Sequence, residues 1–149
     1  MLKIYADCDS CPVKDEILKV ADRYDLNVYM VSNSGLRPVR NPKVEIIVVP
    51  SGPDAADDWI AQRSGDGDIV ITADILLAAR CIKNNSSVIS PAGNQFTDDN
   101  IGNAVAGRSL SAHLRELGYE GGGNSSFTKK DRSKFLQELD RVIQSIKRR

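Results

Sequence analysis

Gly67-Asp-Ile-Val-Ile-Thr-Ala-Asp-Ile-Leu-Leu-Ala-Ala-Arg-Cys-Ile-Lys83 is the stretch that decides the fold. Asp68 to Thr72 reads as a short apolar strand. Asp74 then stands where a helix N-cap belongs, and the helix it opens runs through about Lys83. Working outward, the same alternation repeats. Leu2 to Ala6 is a short buried strand, and Pro12 sits where a helix would start, its missing N–H costing nothing there. Val13, Ile17, Val20 and Tyr24 follow at helical spacing through about Asp25. Asn27 to Ser32 and Val44 to Val49 read as strands, separated by a turn-rich loop, Asn33 to Pro42, that carries Arg37 and Arg40. Pro53-Asp54 opens a helix bearing Trp59 and Ile60, and Ser87 to Ser90 is a fifth strand. Pro91 to Thr97 reads as a loop, after which Thr97 caps a helix from Asp98, with a break near Gly107 and an end at Gly118. A glycine-rich linker (about 119–127) leads to an amphipathic helix (about 128–147) marked by Phe135, Leu139, Val142 and Ile146. There is no internal repeat. Strands alternating with helices predict an α/β fold: a mostly parallel central sheet of about five strands, with helices on both faces.

Composition bounds the rest. The chain has 149 residues, 41% hydrophobic and 27% charged, which suits a single globular domain over residues 1–149 and argues against a disordered or collagen-like chain. No apolar run approaches the roughly 18 residues of a membrane span. The first residues reach a charge too soon for a secretory signal. Three cysteines make no disulfide framework, so the expectation is a cytoplasmic protein with free thiols. Net charge is zero but unevenly spread. From Phe127 onward eight basic residues face three acidic ones, a net +5, and the preceding residues carry −5. Fifteen acids are Asp and five are Glu, a skew toward the residue favoured at turns, helix starts and tight metal shells.

In a parallel α/β sheet, ligands bind outside the carboxyl ends of the strands. Asp7 and Asp9 follow the first strand, Asp74 follows Ile-Val-Ile-Thr, and Asp54, Asp57 and Asp58 begin the helix after the third strand. Asp98 and Asp99 follow the strand ending near Ser90. Read this way, all four clusters fall at one edge of the sheet. Crowded carboxylates need a counter-charge, and with one histidine in the chain an oxygen-rich Mg²⁺ or Mn²⁺ site answers that need. Such an ion commonly acts on phosphate esters. Each cluster also has a plainer role, since Asp54, Asp74 and Asp98 are all placed as N-caps or first-turn acids. Cys8 and Cys11 form Cys-Asp-Ser-Cys at a strand-to-helix turn, the position of a redox pair, although neighbouring acids disfavour a thiolate. Cys81 and Trp59 read as core and His113 as helix surface. Ser10 and Asn33 suit turns or polar support of a metal site, and Arg37 and Arg40 suit either phosphate contacts or a solvated loop.

Asp7-Cys-Asp-Ser-Cys-Pro-Val-Lys14, Asn33-Ser34, Asp54-Ala-Ala-Asp-Asp-Trp-Ile60, Gly67 to Asp74, Phe96-Thr-Asp-Asp-Asn-Ile-Gly102 and Asp131-Arg-Ser-Lys-Phe135 together resemble the bacterial YaiI/YqxD family, in order over nearly the whole chain. That poorly characterised family resembles PIN-like domains, metal-dependent ribonucleases with a three-layer α/β/α sandwich and an acidic pocket. The resemblance implies an RNA-cleaving enzyme with Mg²⁺ or Mn²⁺ held by Asp7, Asp57 or Asp58, Asp74, and Asp98 or Asp99. Asp9 belongs to the family's first motif, and Asp7, Asp9, Asp58 and Asp74 are the expected catalytic set. Asn33, Arg37, Arg40, Lys14, Lys129 and Lys130 are the expected contacts to single-stranded RNA. Cys8 and Ser10 stand where the family more often has alanine, and Ala92 where arginine is common, which removes one phosphate contact.

Two other classes compete. In a haloacid-dehalogenase-like phosphatase Asp7 would be the nucleophile, Asp9 the acid/base, and Ser32 or Ser34 the second motif. Cys11 stands where that family has threonine, and the next strand comes too early for its usual insert. The third class is a non-catalytic module that binds RNA or a protein partner.

Overall fold

The computed structural model describes residues 2–8, 11–33, 39–50, 54–102 and 128–148. Their elements are β1 (Lys3–Asp7), α1 (Lys14–Tyr24), β2 (Asn27–Ser32), β3 (Val44–Val48), α2 (Ala55–Arg63), β4 (Ile69–Ile71), α3 (Ile75–Lys83), β5 (Ser87–Ile89), β6 (Gln95–Phe96) and α4 (Lys129–Lys147). Residues 98–102 are also helical. The sheet order is β3-β2-β1-β4-β5-β6. All pairings are parallel except β5 with β6.

Alternation along the strands sorts side chains onto two faces. Ile4, Ala6, Val28, Met30, Ile69, Ile71 and Ile89 pack with α1 and α4, whose Ile17, Val20, Phe135, Leu139 and Ile143 are fully or almost fully buried. On the other face, Tyr5, Val31, Val70 and Val88 pack with α2 and α3 through Ala56, Ile60, Leu77, Ala78 and Cys81. The result is the expected three-layer sandwich, with one strand more than expected.

The extra strand corrects one expectation. Residues 95–96, read from the sequence as loop, pair antiparallel with β5, Phe96 opposite Val88 and Gln95 opposite Ile89. A two-residue strand is too short to show a hydrophobic period, so the pattern hid it. Its direction carries Thr97 and Asp98 back toward the amino end of β5. Helix starts are closer to expectation: Asp74 caps α3 through Leu76 N–H (2.9 Å) and Leu77 N–H (3.3 Å). Pro12 lies one residue outside the α1 N-cap, Val13, rather than inside the helix.

The last helix is tied down at both ends. Thr128 accepts a hydrogen bond from Asp131 N–H (3.2 Å) while Asp131 accepts from Thr128 N–H (3.0 Å), a reciprocal capping box. Arg132 donates to the Pro12 carbonyl (2.9 Å) and pairs with Glu16 (2.8 Å). Near the far end, the Tyr24 hydroxyl donates to Asp140 and accepts from Gln144 (3.1 Å). Thr128→Ala removes the cap and is expected to cost about 1 kcal/mol in urea denaturation. The linker and the 107–118 helix end expected from the sequence, with His113, lie outside the described residues.

Candidate functional site

The chain leaves β1 for β2 and β3 on one side, then crosses to β4 on the other. The carboxyl ends of β1 and β4 therefore flank the point where winding reverses, the place such sheets keep for ligands. Asp7 is the last residue of β1, and Thr72 follows β4 directly. Buried Thr72 joins the two ends: its hydroxyl donates to Asp7 Oδ2 (3.0 Å) and accepts from Asp74 N–H (2.9 Å). Sequence reading treated Thr72 as the end of a strand. Its position two residues before a capping aspartate was the available signal.

Packing on the α2 face aims the third carboxylate. Trp59 lies against Tyr5 and Tyr29, with ring centroids 6.0 and 5.9 Å away, and the Arg63 guanidinium covers it at 4.2 Å. This seats α2 on β1 and β2 with Ala56, Ile60 and Ala61 inward. Asp57 stands three and four residues before Ile60 and Ala61, at the end of that buried stripe, so it faces inward. Its pKa is pushed up to about 6, first by burial and then by the charges of Asp74, Asp7 and Asp54, with Arg80 opposing. Asp58 turns away and pairs with Arg80 at 2.8 Å, both about half exposed. The structure thus separates the two carboxylates that the sequence left as alternatives.

The expectation that four clusters share one edge is corrected. Because β6 runs antiparallel, Asp98 lies at the amino edge, where it lines a cavity with Asp66, Asn85, Ser86 and Ser87. Asp99 is the next residue, exposed on the same helical turn. Exposed Asn33 follows β2 at the carboxyl edge, whereas exposed Arg40 precedes β3, on the way to the opposite edge. Asp9, Ser10, Ser34 and Arg37 lie outside the described residues. Lys14 opens α1 at the carboxyl edge, near enough to lower the Cys8 and Cys11 pKa values. Burial outweighs it, raising Cys8 to about 12 and Cys11 above its usual value, which is the opposite of an activated thiolate. All three cysteines are free.

The donors at the carboxyl edge are hard oxygens, the set that suits Mg²⁺ or Mn²⁺. Asp74 Oδ1 is engaged by α3 and Asp7 Oδ2 by Thr72. Among the described residues, no group of three carboxylate, thiol or imidazole side chains is positioned to hold a metal ion as it stands. Among the same residues, no helix is long and apolar enough to cross a membrane.

Fold and site together define a doubly wound α/β protein with acidic side chains at its switch point. Residues 5–145 match the family model described as "Uncharacterized BCR, YaiI/YqxD family", and the chain belongs to that family. It is 53% identical over 149 residues to a UPF0178 protein of Parvibaculum lavamentivorans, covering 100% of this chain and 98% of the relative. It is 56% identical over 145 residues to one of Rhizobium meliloti, covering 97% and 99%. A third, from a Caulobacter species, is 49% identical over 148 residues, covering 99% and 98%.

Proposed function

We propose that this chain is a cytoplasmic hydrolase of RNA phosphodiester bonds that uses Mg²⁺ or Mn²⁺, with Asp7, Asp57 and Asp74 as the residues that hold the ion. The observation that carries the reading is the meeting of these carboxylates at the switch point: Thr72 joins Asp7 to the Asp74 backbone, and the Asp57 carboxyl, raised first by burial, also feels the charges of Asp74 and Asp7. A divalent cation is the natural relief of repulsion among them. The ion would activate water and offset charge on the phosphate oxygens. The chain's own residues set the stage for it. Thr72 fixes one oxygen of Asp7, and the α3 amides fix one oxygen of Asp74. The resemblance of this family to PIN-like domains agrees with the reading, and Asp9 belongs to the same first motif.

Calorimetric titration with Mn²⁺ and Mn²⁺-dependent cleavage of single-stranded RNA test the proposal. Asp7→Asn and Asp74→Asn should abolish both, because asparagine keeps an acceptor oxygen for Thr72 and for the α3 amides but loses the charge. Thr72→Val should weaken Mn²⁺ binding about 10- to 100-fold, the usual cost of losing a group that orients a ligand. Undiminished Mn²⁺ binding in both aspartate variants would overturn the site. Turnover of small phosphomonoesters without RNA cleavage would make the protein a phosphatase, and RNA binding without turnover would make it a binding module.

A further inference from the structure

The carboxyl edge of the sheet is divided by charge. On the α2–α3 side stand Asp54, Asp57, Asp58 and Asp74, with Arg80 engaged by Asp58. On the α1–α4 side stand Lys14, Lys129, Lys130, Arg132 and Lys134. Two contacts place the start of α4 at this edge. Arg132 reaches the Pro12 carbonyl, just beyond β1, and Lys134 Nζ reaches Asn94 Oδ1 (2.6 Å) in the turn after β5. Among the described residues, the acids in the first turns of α1 and α4 on this half are Asp15, Glu16 and Asp131. Glu16 is engaged by Arg132, and Asp131 caps its own helix. Lys129, Lys130 and Lys134 are exposed, and Lys130 and Lys134 lie one turn apart on one side of α4.

We propose that this basic half is a separate binding face for the phosphate backbone of single-stranded RNA, which holds the strand where it crosses into the acidic half. The choice of RNA rests on the hydrolase reading above. The charges alone select a polymer over a small phosphate ester. Lysines are flexible point charges spread over two helices, poorly suited to fixing one phosphate. They suit a chain of phosphates, each of which releases counterions. They read no bases, so the face is indifferent to sequence. They also favour one strand over two. A duplex seated on the lysines would bring its second row of phosphates over Asp54, Asp57, Asp58 and Asp74, whereas a single strand meets those carboxylates at one point.

The experiment is fluorescence anisotropy of a labelled single-stranded RNA in EDTA over a salt series, with the parent, Asp7→Asn, and the triple variant Lys129→Gln, Lys130→Gln, Lys134→Gln. Circular dichroism checks that each is folded. The parent should bind without metal, and Asp7→Asn should bind at least as well. The triple variant should bind more than tenfold more weakly at low salt, and its salt slope should fall by about 2, three single-strand contacts at about 0.7 each. Parent-like binding by the triple variant would overturn the face. Equal loss in Asp7→Asn would overturn its independence from the carboxylates, and equal affinity for a duplex would overturn the single-strand preference. If the lysines bind RNA in EDTA but the parent takes no Mn²⁺, the hydrolase reading fails and the binding face stands.

Discussion

Replacing Gly93 with alanine should lower stability by about 3 kcal/mol, roughly a 10 °C drop in melting temperature for a chain of this length. Gly93 has φ +86°, and a Cβ there would lie 2.7 Å from the Lys134 backbone carbon and 2.8 Å from the Phe135 amide nitrogen. Two costs therefore combine: left-handed backbone strain and a collision with a helix backbone that side-chain rotation cannot relieve. Gly67 provides the control. It has the same φ but nothing within 4 Å, so Gly67→Ala should cost about 1 kcal/mol, from conformation alone. Hydrogen exchange in α4 should rise in Gly93→Ala and stay unchanged in Gly67→Ala. Equal destabilisation of the two variants would show that the α4 contact contributes nothing.

Asp57→Asn is expected to stabilise the protein at neutral and alkaline pH while leaving it unchanged near pH 3. Folding raises the Asp57 pKa from 3.8 to about 6, so the folded state holds the proton more tightly than the unfolded state. The resulting stability is present in full below about pH 3.8 and is lost as pH rises to about 6. Above that, the ionised carboxylate carries the cost of its burial and, after that, repulsion from Asp74, Asp7 and Asp54. After discounting for solvent screening of this partly exposed group, asparagine should gain about 1 kcal/mol at pH 8. Thermal melts of parent and variant between pH 3 and 8, in EDTA, measure the difference. Curves that stay parallel across that range would show that folding leaves the Asp57 pKa unshifted.

The alternation of strand and helix was legible because short apolar runs such as Ile69–Ile71 are followed by amphipathic stretches, one of which opens at a recognisable cap, Asp74. Which strand ends bear acids was legible in the sequence. The choice between Asp57 and Asp58 was not. It depends on how Trp59 seats α2 against Tyr5 and Tyr29, a packing matter that helical spacing alone leaves open. Asp98 and Asp99 were assigned to the wrong edge because a two-residue strand reversed the chain without leaving a periodic trace. Thr72 was overlooked because a hydroxyl at a strand end has no pattern of its own. Only the closeness of Asp7 gives it a role. The lysines of α4 were visible as a charge run, but their place beside β1 and β5 comes from Arg132, Lys134 and Gly93.

The joining of the first strand to the last helix in one core bears on how the molecule is made. Ile4 of β1 shares its apolar cluster with Phe135, Leu139 and Ile143 of α4. During synthesis, then, Ile4, Ile69, Ile71 and Ile89 emerge long before α4, and the part of this apolar face that α1 does not cover stays open until residue 143 has been added. Closing that face joins segments more than 120 residues apart, a pairing of high contact order that comes late in folding. The interval before it is when the growing chain is most exposed to aggregation.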